Sequence, residues 1–207
     1  MSTSVTVFLF QAAIISLSGV MVPGPVTAAT LAGGLRNRHA GAWIAVGHGI
    51  VEFPLMGLIM AGAGAVLTAR AFQIAVGLGG GAALLLMSGL LLASLRRRDA
   101  SGAPARQANP IWTGVVLTGG NPYFLLWWAT VGLALSTRAM DLGVLAFGLF
   151  ALVHWLCDLA WLEILSLASS RGVDLLGRRS QQAVTVVCSV AMAIFGIRFL
   201  WDAVGRF

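Results

Sequence analysis

The chain has no lysine. Its 13 basic residues are all arginines, set against seven acids for a net charge of +6. They stand at the ends of apolar runs and form no single basic stripe, which argues against a nucleic-acid surface and makes them topology signals. Charge of either sign is scarce: 10% of residues are charged and 58% apolar, with a mean hydropathy of +0.91. That excludes a soluble domain. No ten-residue segments of alternating hydrophobicity occur, which excludes an outer-membrane barrel. Cysteine is limited to Cys157 and Cys188, in separate apolar runs and without a CxxC, so both read as packing residues. The N-terminus lacks the basic segment of a signal peptide, and its apolar run is too long for one, so it is expected to be retained. No P-loop, GxSxG or HExxH is present, nor a nucleophile–base–orienter set. Neither an enzyme nor a cofactor is expected.

What is present is a series of long apolar runs separated by short arginine-bearing gaps, the pattern of an all-α polytopic membrane protein. Six transmembrane helices are predicted, over residues 5–35, 42–68, 72–95, 111–136, 142–168 and 182–204. Arg36 and Arg38 lie in the first gap, Arg96, Arg97, Arg98 and Arg106 in the third, and Arg171, Arg178 and Arg179 in the fifth. The second and fourth gaps hold only Arg70 and Arg138. The positive-inside rule therefore predicts an inner (plasma) membrane protein with the odd gaps cytoplasmic and both termini outside. Residues 96–110 mix arginine with Ala, Gly, Ser and Pro and read as a cytoplasmic linker. They divide the chain into three-helix units at 1–95 and 111–207.

The two units resemble each other. Ala45, His48 and Glu52 in the second span answer Ala151, His154 and Asp158 in the fifth at an offset of 106. Gly89 answers Gly196 at an offset of 107. Gly19-Val20 stands shortly before Pro25, as Gly114-Val115 does before Asn121-Pro122. With an odd number of spans each, the units must insert in opposite senses. Such inverted repeats, with broken helices at matching places and a site near the bilayer midplane, are a recurrent transporter architecture.

Two places promise a break. Residues 5–35 hold no charge over 31 positions, yet contain Val22-Pro23-Gly24-Pro25-Val26. Proline lacks an N–H, disfavours α geometry before it and suits the first position of a helix. Helix 1 is expected to stop and restart at Pro25, and helix 4 at Asn121-Pro122, where Asn serves as N-cap. Either these are two independent kinks, or Pro23, Gly24, Pro25, Asn121 and Pro122 form a substrate-binding pair of half-helix ends that attract an anion such as a carboxylate. His48 and Glu52 stand four apart on one face, as do His154 and Asp158. Ionisable groups at membrane depth usually face a cavity and mark a pathway. Each couple is a candidate for proton coupling. Alternatives are polar contacts that pin helices together, or ligands for zinc, nickel or cobalt. No denser His, Cys or Asp cluster supports the metal reading, and none is expected.

Among the remaining residues, Glu163 lies off the Asp158 face and is expected to pair structurally or as a gate, with an arginine. Arg198 and Asp202 read as an interfacial i,i+4 pair. Trp43, Trp112 and Trp201 read as interface anchors, and Trp127, Trp128, Trp155 and Trp161 lie deeper. Gly77 and Gly81 allow close helix contact, within the chain or in a homodimer.

With these residues in hand, the chain resembles the LysE/RhtB family of amino-acid exporters. The features that carry the resemblance are Val22-Pro23-Gly24-Pro25, the basic turn between Gly34 and Gly41, and Asn121-Pro122 opening the second half. Residues 47–52 (GHGIVE) and 121–128 (NPYFLLWW) are similar to a branch apart from the best-known amino-acid exporters. The resemblance implies efflux of amino acids or related small carboxylate-bearing metabolites, driven by a proton or potential gradient. The same superfamily includes divalent-metal exporters, which stand as the alternative, beside a membrane subunit without transport activity.

Overall fold

A computed structural model describes residues 4–22, 24–62, 69–101 and 108–205. Pro23 and residues 102–107 of the linker lie outside them. Among the described residues every regular element is a helix. The elements are α1 (Val5–Val20), α2 (Pro25–Gly34), α3 (Ala40–Met60), α4 (Arg70–Ser101), α5 (Pro110–Gly119), α6 (Pro122–Trp127), a π-helical turn (Trp128–Gly132), α7 (Leu133–Asp141) and α8 (Val144–Val204).

Local chemistry explains where these helices begin. Ser4 accepts a hydrogen bond from Val7 N and Asn109 one from Ile111 N, capping α1 and α5. α2 starts with Pro25 at its first position, and its axis lies at 78° to that of α1. α6 starts with Pro122, and the Asn121 side chain accepts from Tyr123 N at 3.0 Å. From Pro122 to Asp141 the helix is continuous, passing from α through π to α geometry. The π turn shifts the register of its side chains relative to the α segments, and such bulges recur at functional sites. Gly143 joins α7 to α8 with a φ of 110°, which other residues rarely adopt.

Four helical stretches are long and apolar enough to cross a membrane: Ala40–Met60, Arg70–Leu90, Val144–Gly172 and Thr185–Val204. The bent pair α1–α2 makes a fifth if counted as one span. α5 alone, at 10 residues, is too short. The 61 residues of α8 hold two of these spans. Run straight, 61 residues would extend about 90 Å, yet Leu162 and Phe199 line one cavity, so the helix folds back between them. The surface is apolar, as lipid contact requires: Leu145 and Trp201 are each 78% exposed, and Trp43 and Trp112 are exposed as well.

Small residues set the helix crossings. A side chain at Gly47 would collide with the Ile111 carbonyl, and one at Gly114 with the Ile44 carbonyl, so α3 and α5 touch backbone to backbone. Gly41 meets Leu162 in the same way, pressing α3 against α8. Gly77 and Gly81 spend their space inside the chain, on Ala203 and on Gly196 with Leu200. Larger apolar side chains fill what remains, with Phe8, Met56, Trp128 and Phe150 in one cluster and Leu84, Cys188, Met192 and Phe199 in another. The α3 contacts fix where His48 and Glu52 sit.

Candidate functional site

His48 and Glu52 occupy one face of α3, and His154 and Asp158 one face of α8. The close crossing of these helices brings all four into one buried cluster. Glu52 Oε1 is the hub: His48 Nε2 and His154 Nε2 each lie 3.1 Å from it, and Trp128 Nε1 donates from 3.3 Å. Asp158 stands further off, with Oδ1 3.7 Å from His48 Nε2 and Oδ2 3.6 Å from His154 Nε2. Glu52 is fully inaccessible at 0% exposure, and the other three are buried.

Each imidazole is steadied from its far side by a hydroxyl on a half-helix. His48 Nδ1 lies 2.8 Å from Thr118 Oγ1 near the end of α5, and His154 Nδ1 lies 2.7 Å from Ser16 Oγ on α1. A hydroxyl both donates and accepts, so it can serve the ring whether Nδ1 is bare or protonated. Aromatic rings close the cluster. Trp127 stacks on His154 at 4.9 Å between centroids, Trp128 meets it edge-on at 5.2 Å, and Phe124 meets His48 edge-on at 5.2 Å. Burial in this apolar cage removes water from around the polar groups and raises the stake on each contact. Even so, Glu52 Oε2 and Asp158 Oδ2 have no hydrogen-bond partner among the described residues.

The cluster opens onto a cavity of about 320 Å³. Gly24, Pro25 and Thr27 line it at the start of α2, and Asn121 and Tyr123 at the start of α6. The two starts differ. Asn121 caps α6 with its own side chain, whereas Gly24 has none and leaves α2 without a side-chain cap. The first N–H groups of α2 after Pro25 have no partner within the helix and none from a cap side chain.

The sequence model of one family, described as LysE type translocator, matches residues 17–203. That is most of the chain. The protein belongs to the LysE type translocator family. It is a multi-pass membrane protein of a family that moves small molecules across the bilayer. No curated protein and no solved structure matches it.

In this LysE-type translocator, His48, Glu52, His154, Asp158, Gly24, Pro25 and Asn121 all line the one cavity. Pro122 stands between two lining residues, and Pro23 lies outside the described residues. Among the described residues Glu163 pairs with His39. His39 Nδ1 is 2.5 Å from Glu163 Oε1, Arg38 Nε donates to His39 Nε2, and Ala42 N donates to Glu163 Oε2 at 3.0 Å. The turn before α3 folds back on α8, and this brings the imidazole to the carboxylate. Arg198 and Asp202 form an exposed pair at 3.8 Å. Spacing singles out neither Ser16 nor Thr118, and it leaves Trp128 unassigned among the deeper tryptophans. Hydroxyls inside apolar helices usually bond to their own backbone, so only the cross-helix geometry distinguishes these two.

Proposed function

We propose that this translocator exports amino acids or related small carboxylate-bearing metabolites in exchange for protons. The observation that carries this reading is that one cavity holds both the uncapped start of α2 and the His48–Glu52–His154–Asp158 cluster. Its volume, about 320 Å³, suits a solute of few heavy atoms. The substrate carboxylate sits on the free N–H groups after Pro25, with the Asn121–Pro122 end opposite. Glu52 and Asp158 take up and release protons, assisted by His48 and His154, whose hydroxyl partners accommodate either state of the rings.

In this reading the chain has six spans, with residues 1–95 and 111–207 as inverted repeats and residues 96–110 as a cytoplasmic linker. α5 and the run from Pro122 to Asp141 together form the fourth span. Alternating access follows from rocking one repeat against the other about the cavity. Contacts between gaps agree with the sidedness drawn from arginine. His39 and Arg38 of the first gap meet Glu163 and Ser166 near the fifth, while Phe8 near the N-terminus receives Arg138 of the fourth gap at 5.8 Å.

The test is reconstitution into vesicles carrying a pH-sensitive dye. Substrate gradients should drive proton movement in the wild type, and the double variant Glu52→Gln, Asp158→Asn should lose it. Unchanged proton-coupled flux in that variant overturns the relay. The substrate itself is sought by thermal stabilisation against amino acids, organic acids and amines, since a ligand stabilises the state that it binds.

A further inference from the structure

The buried cluster has a second chemical capacity. His48, Glu52 and Asp158 each offer one ligand atom, and the three atoms lie within 4.8 Å of one another. A zinc-type ion bound at about 2.0–2.2 Å to nitrogen and oxygen in tetrahedral geometry needs its ligands roughly 3.3–3.5 Å apart. The separations of His48 Nε2 from Glu52 Oε1 and from Asp158 Oδ1, 3.1 and 3.7 Å, bracket that spacing. A second, independent observation is the pair of buried oxygens without a hydrogen bond among the described residues, Glu52 Oε2 and Asp158 Oδ2. Unsatisfied carboxyl oxygens at such depth are costly unless something fills the place beside them. The outer contacts also suit a metal site. A ligating imidazole ordinarily donates its other N–H to an oxygen, and Thr118 Oγ1 lies 2.8 Å from His48 Nδ1.

We infer that His48, Glu52 and Asp158 form a binding site for one divalent transition-metal ion, with the fourth position facing the cavity and His154. Two carboxyl groups and an imidazole suit zinc, cobalt or nickel. The soft cuprous ion is disfavoured, since neither cysteine is among the ligands: Cys157 Sγ points to the Ala13 carbonyl and Cys188 packs in an apolar cluster. The inference does not depend on proton-coupled export. Metal and protons compete for the same atoms, so a bound ion holds the cluster in one state whatever the protein carries.

The experiment uses purified full-length protein in detergent, titrated with Co²⁺ and read by its visible d–d absorption, with Zn²⁺ as competitor. One ion per chain in a low-coordinate site is expected. His48→Gln and Asp158→Asn should each weaken binding at least tenfold, and Thr118→Val, which removes the hydroxyl behind the ligating ring, by about 10–100-fold. His39→Gln, which alters the other histidine–carboxylate pair, should leave the titration unchanged. Folding of each variant is checked by circular dichroism and size exclusion. A wild type that binds no Co²⁺ or Zn²⁺, or folded His48→Gln and Asp158→Asn variants that bind as tightly as wild type, overturns the inference. Neither result bears on the flux assay, so the two readings fail separately.

Discussion

Gly47→Ala tests whether the α3–α5 crossing holds the cluster in place. An alanine Cβ there would penetrate the Ile111 carbonyl oxygen and crowd Val115 N. Ordinary carbon–oxygen contact begins at about 3.3 Å, so the helices must part by on the order of 1 Å. His48 follows on α3, and its 2.8 Å contact with Thr118 Oγ1 on α5 then opens past the limit of a hydrogen bond. Overpacking costs about 1–3 kcal/mol, and an orphaned buried polar group about 1–3 kcal/mol more. Gly57 provides the control on the same helix, because nothing lies within 4 Å of an added Cβ. Gly57→Ala should be neutral or stabilise by about 0.5–1 kcal/mol through helix propensity. The assay is thermal unfolding in detergent, paired with transport in vesicles. Gly47→Ala should lower the unfolding midpoint and depress transport, while Gly57→Ala does neither. Equal midpoints for the two variants refute the reasoning, since the substitutions then differ in sequence position only.

Further expectations follow from other parts of the cavity and its surroundings. Gly24→Asn supplies α2 with the side-chain cap that Asn121 gives α6, and Gly24 already has extended backbone, so folding should hold or gain a few tenths of a kcal/mol. Substrate affinity in a flux assay should fall as the side chain occupies the free N–H groups; an unchanged KM removes α2 as the carboxylate seat. Asn121→Ala should cost about 1 kcal/mol in thermal stability, with Asn121→Asp recovering most of it. His39→Ala should cost at most about 1 kcal/mol because the pair is partly exposed, whereas Glu163→Ala also uncaps α3 at Ala42 N and should cost more in the same melt. With the native cysteines replaced, Ser101→Cys should react with an impermeant thiol reagent from the cytoplasmic side and Asp141→Cys from the outside. The reverse pattern overturns the proposed sidedness.

Much of the helical plan is legible in the hydropathy and the prolines. The restart at Pro25 and the restart at Pro122 follow from ring chemistry that acts locally, and spacing of four suffices to put each histidine with its acid on one helix face. What spacing does not reach is the relation between faces. That Glu52 Oε1 is shared by both imidazoles depends on Gly41 and Gly47 letting α3 close on α8 and α5, and a glycine in an apolar run does not announce its partner. The π turn at Trp128 is invisible in periodicity because one extra residue per turn barely disturbs an all-apolar pattern. Glu163 shows the same limit from the polar side. Charge alone points it to an arginine, whereas its contact with His39 follows from the path of a short turn.

The hydroxyls behind the two imidazoles have a mechanical consequence. Thr118 belongs to α5 and steadies a ring carried by α3, while Ser16 belongs to α1 and steadies a ring carried by α8. Each support is therefore borrowed from across the molecule, and both rings lean on the same glutamate oxygen. Sliding α1–α4 past α5–α8 would unhook both supports in one stroke, leaving neither ring its oriented proton. On the proposed mechanism, the charge state of the cavity and the relative stance of its walls are in this way geared together, like a clutch whose two plates engage or release as one.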